Sequence, residues 1–375
     1  MNIGFDGKRA ANNLTGLGNY SRSLILQLSQ FFPQNHYFVY APKVKSDAQI
    51  SSFFEHQNIS LQLPDSGQPS FLWRSWRIKK QLKKDHLSLY HGLSNEVPFD
   101  LAAAKIKTVV TIHDLIYLRF PQHYTYIDRT IYNFKSEYAC KHADHIIAIS
   151  EQTKKDIVTF YGTDPDKIEV IYQSCDDSFK HPVKIAFKDT VREKYKLPER
   201  YLLNVGTIEP RKNLLLIVQA LQSIPENVKL LVVGKAQPYA QQVIQEIARL
   251  NLQDRIIFLK NIPFTDLPAI YQMASIFVYP SFYEGFGIPV IEALYGGIPV
   301  IAATGSCLEE AGGPGSLYID PKDPAALATA INAVLNNPAL AKQMREKGLS
   351  FVQKFNTCTL AHQLMNCYQN IVSAD

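Results

Sequence analysis

"PSFYEGFGIPVIEALYGGIPV", residues 280–300, follows the apolar run Ile276-Phe277-Val278-Tyr279. That run reads as a strand buried on both faces. Residues 280–287 then read as a loop. Pro289 suits the first helical position, where its missing N–H costs nothing. Gly296-Gly297 can supply the left-handed residue that ends a short helix, and residues 298–302 return as the next strand. Strand, loop, helix and strand in so few residues form one winding of an α/β fold with a parallel sheet. Glu284 falls in the loop and Glu292 about one turn into the helix. The two carboxylates therefore bracket a helix N-terminus, whose N–H groups attract anions. Gly285 and Gly287 let the backbone approach a ligand closely.

This arrangement suits a nucleotide sugar. The diphosphate takes the N–H groups, one carboxylate accepts from the ribose hydroxyls and the other from hydroxyls of the sugar. The plainer alternative for a glutamate near a helix start is compensation of the dipole. A second stretch, "NVGTIEPRKNLLLIVQAL" at residues 204–221, repeats the strand–loop–helix pattern. Its strand ends at Gly206 and its helix starts near Asn213. Arg211 and Lys212 sit at the junction, where two adjacent cations can hold a diphosphate; the alternative is a solvated pair in a loop.

Further strands are predicted at 2–6, 37–41, 87–91, 108–113, 145–150 and 167–172 in the first half. In the second half they fall at 201–206, 228–234, 255–260, 276–279, 299–302 and 317–319. Helical patterns such as 213–221 and 239–250 separate them. Two such series imply two doubly wound domains with a ligand in the cleft between them. The expected division is 1–178, a linker at 179–198, 199–354, and a C-terminal helix at 355–375 that packs back on the N-terminal domain. The linker assignment rests on polar, charged composition with Pro182 and Pro198.

The 375 residues suit two cores, and no apolar run reaches the ~18 residues of a membrane helix. The N-terminus lacks a signal-peptide pattern, so a cytoplasmic location is expected. Five cysteines without paired spacing read as reduced thiols. A net charge of +5 fits a protein that handles anionic small molecules and does not by itself indicate nucleic acid.

The Glu284/Glu292 pair and the "GTIEPRKN" loop resemble the retaining glycosyltransferases of family 4. The resemblance runs nearly the length of the chain. It includes "TGLGNYSRSL" (15–24), "YHGLSNEVPF" (90–99), "TVVTIHDLIYLRFPQHY" (108–124) and "ADHIIAISEQTKKDI" (143–157). It implies the GT-B fold: two Rossmann-like, doubly wound α/β domains facing a deep interdomain cleft. It implies that Arg211 and Lys212 bind the pyrophosphate and stabilise it as it leaves. Glu292 would bind the ribose, and Glu284 would meet the transferred sugar beside Gly285, Phe286 and Gly287. His113 would help position the donor sugar near its anomeric centre. Gly16 and Gly18 would admit the diphosphate, and Gly206, Thr207 and Asn261 would complete the donor site. Some members carry Arg where Thr207 stands, and many carry Arg where Asn19 stands.

The resemblance further implies retention of anomeric configuration with no metal and no cofactor, the leaving phosphate taking the acceptor proton. The loop form is closest to mannosyltransferases, so GDP-mannose is the expected donor and a glycan or lipid-linked molecule the expected acceptor, in surface polysaccharide synthesis. A UDP-sugar donor is the alternative. So are a phosphorylase or epimerase of the same fold, a non-catalytic nucleotide-binding subunit supporting a partner transferase, and a membrane-docking scaffold.

Other patterns carry less. Asp164-Pro165-Asp166 has the form of a metal motif but reads as a proline turn. Gly16-Leu17-Gly18 lacks the third glycine of a dinucleotide fingerprint. No nucleophile elbow accompanies His113-Asp114. The segment "FLWRSWRIKKQLKKDHLSL" (71–89) is different. At about 100° per residue, Phe71, Ile78, Leu82 and Leu89 form one stripe. Trp73, Trp76, Arg77, Lys80, Lys83 and Lys84 fall on the other side. These six are candidates for peripheral contact with an anionic membrane; a solvated surface helix is the alternative.

Overall fold

The computed structural model describes residues 1–14, 16–64, 73–99, 101 and 104–373. The chain forms two compact units, Met1–Gln173 with Asn356–Asp375, and Ser174–Phe355.

The first unit is built on seven strands: β1 (Asn2–Asp6), β2 (His36–Tyr40), β3 (Ile59–Gln62), β4 (Leu89–Gly92), β5 (Lys107–Ile112), β6 (His145–Ala148) and β7 (Ile168–Val170). Their order is β3-β2-β1-β4-β5-β6-β7, and every pairing is parallel. The second unit has β8 (Tyr201–Val205), β9 (Lys229–Val233), β10 (Ile256–Leu259), β11 (Ile276–Tyr279), β12 (Val300–Ala303) and β13 (Leu317–Ile319). Its order is β10-β9-β8-β11-β12-β13, again all parallel. Strands such as β11 and β12 are buried at every position, as expected of a sheet covered on both faces by helices. In each sheet the order reverses once, between β1 and β4 and between β8 and β11. Ligands of doubly wound sheets bind at such reversals, at the carboxyl ends of the strands.

Side-chain caps set several helix starts. Ser150 accepts from Thr153 N–H, Thr125 from Asp128 N–H, and Asp323 from Ala325 and Ala326 N–H. Gly162, at φ +62°, ends the helix Glu151–Tyr161. The C-terminal helix Thr357–Ser373 packs Leu364, Met365 and Tyr368 against Ile3, Phe5, Ile25 and Leu28 of the first unit.

Three features depart from the sequence reading. The edge strand β3 was not anticipated; it is four residues long and only Ile59 is buried. Residues 179–198, read as a linker, hold the helix Ile185–Tyr195 and belong to the second unit. There Lys194 and Tyr195 both reach Asp266 Oδ2, at 2.8 and 2.6 Å.

The third departure is a correction. Trp73 does not face solvent: it is 3% exposed and packs in a core with Tyr40, Ile78, Leu82 and Tyr90. Residues Trp73–Arg77 form a π-helical turn ahead of the helix Ile78–Lys84. A π turn carries more residues than an α turn, so a wheel at 100° per residue rotates Trp73 away from its true face. Phe71, also placed on that wheel, lies outside the described residues. Trp76, Arg77, Lys80, Lys83 and Lys84 are exposed as expected. Arg74, in the same basic segment, is tucked between Asp6 and Glu96.

Candidate active site

The reversal point of the second sheet gathers the charged residues that the sequence singled out. Gly206 directly follows β8, and the loop it opens closes in the 3-10 turn Pro210–Lys212. Asn213 adopts a left-handed conformation (φ +57°), and its side-chain amide donates to Pro280 O (3.2 Å) and Pro321 O (2.7 Å). Phe282 N–H donates to Arg211 O at 2.9 Å. These bonds fasten the loop after β8 to the loop after β11.

Between the two loops, Arg211 Nη1 reaches Glu284 Oε2 at 2.6 Å and Tyr283 O at 2.6 Å, while Nη2 donates to Glu209 Oε1 at 2.5 Å. Lys212 Nζ donates to Tyr279 OH (2.6 Å) and Glu284 Oε1 (3.1 Å). The Tyr279 hydroxyl in turn donates to Glu284 Oε1 at 3.0 Å. Burial disfavours the Glu284 carboxylate, but the charges of Lys212 and Arg211 overcome that penalty and hold its pKa at about 2. The lysine and arginine are held protonated by the same carboxylate against their own burial.

Glycines shape the backbone around this cluster. Gly206 has φ +149°, and a Cβ there would come within 3.0–3.3 Å of the Lys212 side chain. Gly287 caps the helix Ile288–Tyr295 at φ +126°, where a Cβ would lie 3.0 Å from Leu308 Cδ2. The Cys307 thiol donates to Glu284 O (3.0 Å) and Phe286 O (2.9 Å), pinning the glycine loop from beneath. Phe286 is buried against Phe355.

Glu292 lies in the same helix but in a different environment. Its Oε2 accepts from Tyr271 OH at 2.7 Å. Burial, with Asp176 adding to it, pushes its pKa up to about 7. The two glutamates, eight residues apart, thus have opposite electrostatics: one fixed as an anion by two cations, the other poised to titrate near neutrality. Thr207 is half-buried beyond Gly206, and Asn261, at φ +54°, is exposed in the loop after β10.

His113, Gly16 and Gly18 belong to the first unit. His113 follows β5, one strand beyond the reversal point. Its Nε2 meets Leu93 O at 2.8 Å, and its Nδ1 meets the Gln173 amide nitrogen at 3.1 Å. Because a carbonyl only accepts, Nε2 carries the proton and Nδ1 accepts from Gln173. Burial drives the ring pKa down to about 4, so the imidazole is neutral. Tyr20 packs edge-on against it, ring centroids 4.7 Å apart. Gly18 has a tight internal reason to be glycine, since a Cβ would fall 1.8 Å from Asn13 O, whereas Gly16 faces open space. Asn19 Oδ1 accepts from Arg22 Nη2 at 2.6 Å.

Tyr279, Tyr271, Cys307 and Gln173 were not found from sequence. Tyr279 directly precedes the quoted stretch and was read only as a strand residue. The others carry no local signal. Asp164 accepts from Asp166 N–H in the turn Pro165–Lys167, as a turn residue does. Among the described residues one trio of metal-ligating type converges, His145, Glu169 and Cys367 in the first unit. There His145 lies 3.5 Å from Glu169.

The chain resembles known proteins in sequence and in fold. Residues 15–179 match the profile described as Glycosyltransferase Family 4, and residues 187–351 match Glycosyl transferases group 1. The O-antigen chain mannosyltransferase B of Escherichia coli is 28% identical across 95% of this chain and 96% of its own length. The O-antigen chain mannosyltransferase RfbU of Salmonella typhimurium is 31% identical over 61% of each chain. Among solved structures, a sucrose-phosphate synthase from Thermosynechococcus elongatus superposes with a TM-score of 0.80 over all of both chains, at 23% identity. Anabaena Alr3699/HepE in complex with UDP gives 0.78 over 99% of this chain and 100% of its own, at 18% identity. At such identities the structural likeness establishes the fold.

Proposed function

The chain belongs to the group 1 and family 4 glycosyltransferases with the GT-B fold, and on that premise we propose that it transfers mannose from GDP-mannose, with retention and without a metal, to a glycan or lipid-linked acceptor in surface polysaccharide synthesis. The observation that carries the reading is the convergence of Arg211 and Lys212 on Glu284 at the carboxyl ends of β8 and β11. Mannose and polysaccharide synthesis are supported by the full-length likeness to an O-antigen mannosyltransferase.

In the reaction the bond between the anomeric carbon and the diphosphate oxygen breaks, and its electron pair stays on the diphosphate. Arg211, Lys212 and the N-terminus of the helix Ile288–Tyr295 stabilise that growing charge from fixed positions, the contribution that dominates most such transfers. The acceptor hydroxyl bonds to the anomeric carbon on the face the diphosphate leaves, and its proton passes to the departing phosphate. Glu284 keeps both cations oriented and meets the sugar hydroxyls; as a strong anion it is not the base. Glu292 accepts from the ribose. His113, a neutral ring fixed at both nitrogens, helps position the donor sugar.

The test is transfer of radiolabelled mannose from GDP-mannose into lipid-linked or polysaccharide acceptors of a surface-polysaccharide-producing bacterium, with and without EDTA. Incorporation that survives the chelator supports the reading. Labelling only from UDP-sugars overturns the donor assignment.

A further inference from the structure

The helix Tyr126–His142 of the first unit carries an apolar stripe on the side away from its own core. Ile127, Ile131, Phe134 and Tyr138 recur at i, i+4, i+7 and i+11, which places them on one helical face. The buried residues, Ser136, Ala139 and Cys140, lie on the opposite face. Ile127, Ile131 and Phe134 are 69%, 46% and 59% exposed. The stripe is continuous with the basic helix. Phe99 packs on Tyr138 (4.6 Å between centroids) and Phe134 (6.0 Å), and Trp76 packs on Phe99 (4.9 Å). Trp76 is itself 55% exposed. Beside it stand the exposed cations Arg77, Lys80, Lys83 and Lys84, and Arg129 covers the ring of the exposed Tyr126.

We propose that Ile127, Ile131, Phe134 and Trp76, with Arg77, Lys80, Lys83 and Lys84 at their edge, form a docking surface for the interface of an anionic phospholipid bilayer. A contiguous exposed apolar patch of this kind marks an interaction site. Aromatic and branched side chains enter the headgroup boundary, and the neighbouring cations meet lipid phosphates. A second copy of this chain fits less well. A two-fold contact would bring the same cation-rich patch from both copies together, and like charges in an interface are costly. The acids on this helix, Asp128 and Glu137, are fewer than the cations beside it; Asp128 is held by Thr125 at the helix start. The inference is independent of the donor reading, since it concerns binding without nucleotide.

The chain has two tryptophans, and only Trp76 is placed to enter lipid. The experiment is vesicle flotation with phosphatidylglycerol–phosphatidylethanolamine vesicles against phosphatidylcholine vesicles, read together with quenching of tryptophan emission by brominated lipid. The wild-type protein should float with the anionic vesicles only, with Trp76 quenched, and salt should weaken the binding. Ile131→Glu with Phe134→Glu should reduce vesicle affinity roughly tenfold or more. Lys80→Glu, Lys83→Glu and Lys84→Glu together should do the same at low salt. All these positions are exposed, so an unchanged melting temperature checks that the variants fold. Equal binding to neutral vesicles, or full binding by Ile131→Glu/Phe134→Glu, would overturn the proposal. A solution dimer that this double variant dissociates, without vesicle binding by the wild type, would assign the surface to a second copy.

Discussion

Lys212 and Glu284 come from loops that follow different strands, yet their charged atoms lie 3.1 Å apart with the Tyr279 hydroxyl bonded to both. The pair is assembled only because β8 and β11 are neighbours at the reversal of the sheet order. Lys212→Ala should lower the transfer rate about 10²-fold or more while leaving the fold intact, by comparison with the loss of one preorganised donor to a developing oxyanion. Steady-state kinetics at saturating donor, with circular dichroism as a control, measures it; near wild-type turnover would remove Lys212 from the chemistry.

Gln173 fixes the tautomer of His113. Gln173→Glu puts an acceptor where Nδ1 now accepts, so that both ring nitrogens must be protonated to satisfy Leu93 O and the new carboxylate. The His113 pKa should rise from about 4 towards or past neutrality. Nitrogen NMR of the ring should change from the neutral Nε2–H form to imidazolium, and the pH–rate profile should gain an ionisation absent from the wild type. An unchanged ring spectrum would show that Gln173 does not hold the ring.

Glu292 predicts opposite effects on stability and binding. Its pKa of about 7 lies above the ordinary carboxylate value. Between those two values the folded state therefore binds more protons than the unfolded state. Folding stability falls as pH rises through that window, and the penalty is complete above it. Glu292→Gln should stabilise the nucleotide-free protein at pH ~8 by on the order of 1–3 kcal/mol, read as a higher melting temperature. It should also weaken nucleotide binding, since the amide replaces a charged acceptor. Wild-type affinity should rise with pH across neutrality. Calorimetry at two pH values tests both parts; equal loss of stability and binding would contradict them.

Gly206→Ala should injure the site by geometry alone. The residue would have to hold φ +149° and push a Cβ against the Lys212 stem. Strain of about 1–3 kcal/mol is expected, together with a fall in turnover greater than the fall in stability explains. Activity that tracks the melting temperature alone would sink the claim that Gly206 positions Lys212.

Much of this was legible locally. The quoted stretch, with its strand, glycine loop, helix-starting proline and paired glutamates, specified β11, the helix Ile288–Tyr295 and β12 because each signal acts over a few residues. Gly297 does adopt the left-handed conformation expected at the helix end. What was missed depends on distance or on irregular backbone. Tyr271 bonds Glu292 from another helix, and nothing in its own neighbourhood marks that face. Tyr368 meets His91 Nδ1 at 2.5 Å across 277 positions of sequence. Trp73 was misplaced because the wheel assumed α geometry through a π turn. The apolar stripe of the helix Tyr126–His142 was passed over because periodicity alone does not say which face meets the core.

The most direct measurement is a thermal-shift titration of the wild-type protein and Lys212→Ala with GDP, UDP, ADP and their sugars, since a ligand that binds only the folded state must raise the melting temperature. The account predicts a clear rise with GDP and GDP-mannose for the wild type, and a smaller one for Lys212→Ala. No rise with any nucleotide at millimolar concentration, or equal rises in both proteins, would contradict the assignment of the Arg211–Lys212–Glu284 cluster as the donor site.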